Sequence, residues 1–75
     1  MSQDKLEVSK DGDEYTVRNP RLERIIAMTD IENEEAMDYL KFRLKKLRIG
    51  DRLKEMGVPI GSTIIIGKIV FDLEE

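Results

Sequence analysis

"RNPRLERIIAMTDIENEEAMDYLKFRL", residues 18–44, carries two helix signals in succession, and these decide how the rest of the chain can fold. Asn19 is a preferred N-cap, and Pro20 at the first helical position gives up only an N–H that would have no intrahelical partner. Leu22, Ile25, Ile26 and Thr29 follow at helical spacing. Asp30 to Asn33 interrupts, and a longer helix resumes through "EEAMDYLKFRLKKLRI", acidic at its start and basic at its end as the helix macrodipole favours. On that helix Ala36, Met37, Leu40, Leu44 and Leu47 fall within a stripe of about 100°, the width of a helix lying on a core. Phe42 falls nearly opposite the stripe. Two helices with one apolar stripe each need a surface to cover.

The flanks supply it. Residues 5–18, "KLEVSKDGDEYTVR", alternate apolar and polar on either side of Asp11-Gly12, the strongest short hairpin signal. A two-residue loop at Asp11 and Gly12 is expected to place Val8 opposite Tyr15 and Leu6 opposite Val17, all on one face. After the long helix, "GDRLKEMGVP" predicts a short third helix with Asp51 as cap, Leu53 and Met56 facing inward, and Gly57 and Pro59 as the stop. "STIIIGKIVFDLEE" then reads as two strands around Gly67-Lys68, with glycine where a type II′ turn requires it. That register pairs Ile64 with Phe71 and Ile66 with Ile69 on one face, and Ile65 with Val70 on the other, so this hairpin is apolar on both sides. The expected fold is an α+β two-layer sandwich in the order ββ-ααα-ββ, a four-stranded sheet with three helices on one face.

At 75 residues, the chain is expected to form one domain spanning 1–75, with residues 1–4 disordered. Apolar residues at 40% and charged residues at 39% suit a folded chain rather than a disordered one. With no cysteine and no histidine, a disulfide scaffold and a zinc site are ruled out, leaving oxygen ligands only. No apolar run approaches the ~20 residues that span a bilayer, so no membrane partner is expected and the expected compartment is the cytoplasm. A net charge of −3 argues against whole-surface affinity for nucleic acid, and no direct DNA readout is expected.

Candidate chemistry is sparse. Nucleophilic catalysis lacks its usual base. Asp30, Glu32, Glu34, Glu35 and Asp38 are read as favouring a helix N-terminus rather than as a Mg²⁺ or acid–base site. "GVPIGSTI" half-resembles a phosphate-binding loop, but Gly57 and Gly61 stand too close, no lysine precedes Ser62, and the segment runs from helix to strand, the reverse of the required context. No catalytic, cofactor-binding or metal residue is therefore expected. The candidate interaction surface comprises Ile65 and Val70 on the sheet face away from the helices, Phe42, and the basic residues Lys41, Lys45 and Lys46. An alternative is a small stand-alone RNA-binding module that uses the basic end of the long helix with Tyr39 and Phe42 interleaved.

Two stretches carry a family likeness. "YTVRNPRLERIIAMTDIENEEAMDYL" and "LKEMGVPIGSTIIIGKIVFDLEE" together resemble the C-terminal domain of the Obg family of bacterial ribosome-associated GTPases, over residues 6–75. The likeness departs at Arg48-Ile49, where the family often has Gly-Val, and at Gly61-Ser62, where it often has Gly-Asp. It implies a parent protein with a glycine-rich N-terminal domain, a central domain binding GTP and Mg²⁺, and this appended domain modulating the others. The implied partners are the parent's own GTPase domain and the ribosome or stress-response proteins, in ribosome assembly and growth control. None of the family's nucleotide-binding motifs matches a position here, so no catalytic residue is carried over. Met1 is then expected to be a start codon added to an excised domain.

Overall fold

The computed structural model describes residues 5–75; the expectation for residues 1–4 lies outside the described residues. The elements are β1 (Glu7–Asp11), β2 (Glu14–Arg18), α1 (Pro20–Ala27), α2 (Glu34–Lys46), α3 (Ile49–Glu55), β3 (Thr63–Ile66) and β4 (Ile69–Asp72). The strands form one sheet in the order β1-β2-β3-β4, antiparallel within each hairpin and parallel between β2 and β3. A parallel neighbour requires a crossover, and that crossover contains all three helices. The architecture is the expected α+β arrangement, ββ-ααα-ββ.

The sheet has a dry face and a wet one. Tyr15, Ile64 and Phe71 form one row of the dry face, and Val8, Val17, Ile66 and Ile69 the next. With Leu6, Leu22, Ile26, Leu40, Ile49, Leu53, Val58 and Leu73 they enclose a single apolar core. Leu22 and Ile26 bury the inner side of α1, and Leu40 lies buried at the centre of the α2 stripe, with Met37, Leu44 and Leu47 packed beside it.

Asn19 fixes the entry to α1. Its Oδ1 accepts from the Leu22 N–H at 3.0 Å, its Nδ2 donates to the Lys5 carbonyl at 2.8 Å, and its own N–H donates to Glu23 Oε2 at 2.9 Å. The same Glu23 oxygen accepts from Arg18 Nε at 3.3 Å. One residue thus caps a helix and ties it to the segment before β1.

The second hairpin keeps its expected register: Ile64 faces Phe71, Ile65 faces Val70 and Ile66 faces Ile69. The first does not. Val8 pairs with Val17 and Lys10 with Tyr15, and Asp11 and Glu14 close a loop of Gly12 and Asp13. Gly12 takes a φ of 65° while Asp13 does not take a positive φ, so glycine occupies the first loop position, as in a type II′ turn, rather than the second position of a type I′ turn. The slip is two residues, which preserves the face of every side chain.

Three local expectations in the third helix are corrected. The long helix ends at Lys46, and Ile49 opens α3 instead of ending α2. The break lies at Arg48, in the left-handed region at φ 56°, ψ 38°. Asp51 does not cap α3: it lies in the first turn and its Oδ2 accepts from Arg48 Nε at 3.2 Å on the surface. Met56 does not face inward. It is the C-cap, 52% exposed, and Val58 fills the core in its place. There the Val58 N–H donates to Leu53 O and the Gly57 N–H to Lys54 O, the paired bonds of a Schellman stop with Gly57 at φ 96°.

Arg48 adopts a conformation that costs an L-residue about 1–2 kcal/mol and glycine almost nothing. Arg48→Gly is therefore expected to stabilise the fold by about 0.5–1 kcal/mol after allowing for the freer unfolded chain. The exposed ion pair it removes is worth little. Urea denaturation of the two chains checks this, the midpoint rising in the variant.

Candidate interaction surface

Parallel pairing of β2 with β3 aligns one residue from each strand on the wet face of the sheet. Ser9 pairs with Thr16, Thr16 with Ile65, and Ile65 with Val70, giving an uncharged row that crosses all four strands. Ile65 is half-buried, while Val70 is 63% exposed. Charged rows flank it: Asp11, Glu14, Thr63 and Asp72 on one side, Glu7 and Arg18 on the other. The Arg18 guanidinium is engaged by Glu23, so this face presents an uncharged centre with an acidic border.

The other candidates lie on α2. Lys41, Phe42 and Lys45 border an open groove of about 900 Å³ between α2, the start of α3 and the edge strand β4. Met37, Leu44 and Phe71 supply apolar lining, and Val70 reaches the groove from the sheet side. Ile65 and Lys46 do not line it.

Lys46 belongs to a separate cluster on the solvent side of the helix. Tyr39 and Phe42, three residues apart, stack with ring centroids 6.4 Å apart and planes 24° from parallel. One turn on, Arg43 Cζ sits 5.9 Å from the Tyr39 ring centre and Lys46 Nζ sits 5.5 Å from that of Phe42. Neighbours at i+3 and i+4 share a helix face, so this grouping is written in the spacing Tyr39-Phe42-Arg43-Lys46. Arg43 belongs to the basic end of the long helix legible in the sequence, but not to the six residues of the candidate interaction surface.

The acidic stretch before α2 is engaged in shaping the turn. Asp30 Oδ1 accepts from the Glu32 N–H at 3.0 Å, and Asn33 Oδ1 caps α2 by accepting from the Ala36 N–H at 3.0 Å. Glu34 and Glu35 occupy the first turn, where the helix macrodipole favours them. Among the described residues, no group of three or more acidic side chains is placed to hold a metal ion. None of the described residues has a buried side-chain nitrogen or oxygen without a partner. Nor is any helix among them long and apolar enough to cross a membrane.

Residues 6–73 match the family described as "Domain of unknown function (DUF1967)". The chain belongs to the DUF1967 family. It is 36% identical over 75 residues to a GTPase Obg of Moorella thermoacetica, covering all of this chain and 18% of that protein. It is 39% identical over 74 residues to a GTPase Obg of Corynebacterium efficiens, covering 95% of this chain and 15% of that protein. A GTPase Obg of Corynebacterium jeikeium is 42% identical over 60 residues, 80% of this chain and 12% of that protein. The likeness to the Obg family read from the sequence therefore holds, and this DUF1967 domain spans less than a fifth of each of these three relatives.

Proposed function

We propose that this DUF1967 domain is a non-catalytic regulatory module of an Obg-type GTPase, and that it acts by contact. The contact surface is the wet face of the sheet, and its partners are the parent's GTP-binding domain and, through it, the ribosome or stress-response proteins. GTP and Mg²⁺ belong to that separate domain, and the work is done in the cytoplasm. The observation that carries this reading is the uncharged row Ser9–Thr16–Ile65–Val70 inside an acidic border. Interaction patches differ from ordinary surface by a centre depleted of charge inside a polar rim.

The test is Ile65→Ser with Val70→Ser. A cross-strand pair contributes about 0.2–1 kcal/mol, so the double variant is expected to lose only about 1 kcal/mol of stability by urea denaturation. Grafted into the Moorella GTPase Obg in place of its matching 18%, the double variant is expected to change the GTP turnover rate several-fold relative to the unsubstituted graft. Unchanged turnover contradicts the proposal. A stability loss as large as that of a core deletion shows that the pair is core rather than contact surface.

A further inference from the structure

The solvent side of α2 carries a second surface, chemically unlike the sheet face. Residues 39–48, "YLKFRLKKLR", hold five cations and no acid, although the whole chain carries −3; the remainder therefore carries −8. The positive charge is gathered on α2 and the turn that follows it. Arg18 and Arg48 are each matched to a carboxylate, but among the described residues Lys41, Arg43, Lys45 and Lys46 form no ion pair. Among these cations lie two rings that the core does not use, Tyr39 at 61% and Phe42 at 54% exposure. Arg43 and Lys46 lie over those rings.

Unmatched cations around an exposed pair of flat rings fit a polyanion whose bases are free to stack. We propose that α2 binds single-stranded nucleic acid, with bases on Tyr39 and Phe42 and backbone phosphates on the cations to either side of the rings, Arg43 and Lys46 beside them and Lys41 and Lys45 on the flank that borders the groove. Lys41 to Lys46 spans about 8 Å of helix axis, so the footprint is short, on the order of three nucleotides. A duplex hides its base faces and offers the rings nothing. A bilayer wants a broad apolar helix face, and the apolar stripe of α2 is already packed against the core.

Fluorescence anisotropy of the 75-residue chain with labelled twelve-nucleotide (rU) and (dT) probes tests this. With about four phosphate contacts the logarithmic salt slope is near −3, so affinity falls about fiftyfold between ~50 and ~200 mM salt. Lys41→Gln with Lys45→Gln and Lys46→Gln flattens that slope to about −0.7. Tyr39→Leu with Phe42→Leu weakens binding about a hundredfold at unchanged slope, two lost stacks at roughly tenfold each. Tyr39→Trp with Phe42→Trp keeps the rings and keeps the affinity, which separates stacking from any disturbance of the helix; thermal unfolding by circular dichroism reports the fold of each variant. The proposal is overturned by no binding at the lower salt, by a hairpin duplex bound as tightly, by leucine variants that bind like the parent, by tryptophan variants that lose binding, or by uptake on phosphatidylserine vesicles without any on the oligonucleotides.

Discussion

Leu53→Ala lowers the unfolding free energy by about 3–4 kcal/mol, the largest single effect expected in this chain. Leu53 is fully buried, on a helix of only seven residues that has no side-chain cap to start it. Such a helix is far too short to be stable by itself, so its place depends on what it buries. Leu53 supplies both halves of that anchor: its side chain fills the core, and its carbonyl receives the Val58 N–H that closes the helix. Alanine keeps the carbonyl and removes the filling, leaving a cavity against Ile49, Val58 and their neighbours. A chain of 75 residues has a total stability of about 4–11 kcal/mol, so this one change consumes a large part of it. Urea denaturation followed by far-ultraviolet circular dichroism measures the loss; a drop under about 1 kcal/mol would show that α3 is not anchored this way.

Asn19→Ala comes next, at about 2–3 kcal/mol. An ordinary cap is worth about 1 kcal/mol. Asn19 does more, because it is 3% exposed and its amide also holds the Lys5 carbonyl at 2.8 Å. Alanine leaves the buried Leu22 N–H and the part-buried Lys5 carbonyl without those partners, and stranded polar groups cost more than a missing bond. For a domain of this size the thermal midpoint falls by about 10–20 °C. Asn19→Asp separates the two roles: it keeps an acceptor for Leu22 but loses the donor to Lys5 and brings a second carboxylate toward Glu23. It is expected to fall between the parent and the alanine variant, and an aspartate variant as stable as the parent would show that the bond to Lys5 contributes nothing.

What the sequence disclosed, and what it withheld, follows one physical line: signals local to a few residues were legible, and those set by distant packing were not. Asn19-Pro20 announces α1 because capping chemistry is local. Gly67 fixes the last hairpin because its turn demands glycine first, and so Ile65 and Val70 could be assigned to the wet face from residues 64–71 alone. Gly12 obeys the same rule, but Asp11-Gly12 also reads as a type I′ pair, and only the two-residue period of the strand kept the faces right. The kink at Arg48 was hidden because neither glycine nor proline marks it. Met56 looked apolar and inward; the Schellman stop turns the chain so that Val58 is the residue buried. The extension of the Ile65–Val70 pair into a row with Thr16 and Ser9 depends on parallel contact between strands separated by three helices, which no local pattern encodes.

The direct measurement of contact through that row is an NMR titration of the ¹⁵N-labelled 75-residue chain with Moorella GTPase Obg from which the matching 18% has been removed, with GTP and Mg²⁺ present. Amide shifts are expected to concentrate at Ser9, Thr16, Ile65, Val70 and their acidic neighbours, and to be lost in the Ile65→Ser, Val70→Ser chain. A spectrum that does not move, or shifts confined to the helices while the sheet face stays silent, would contradict the proposed contact.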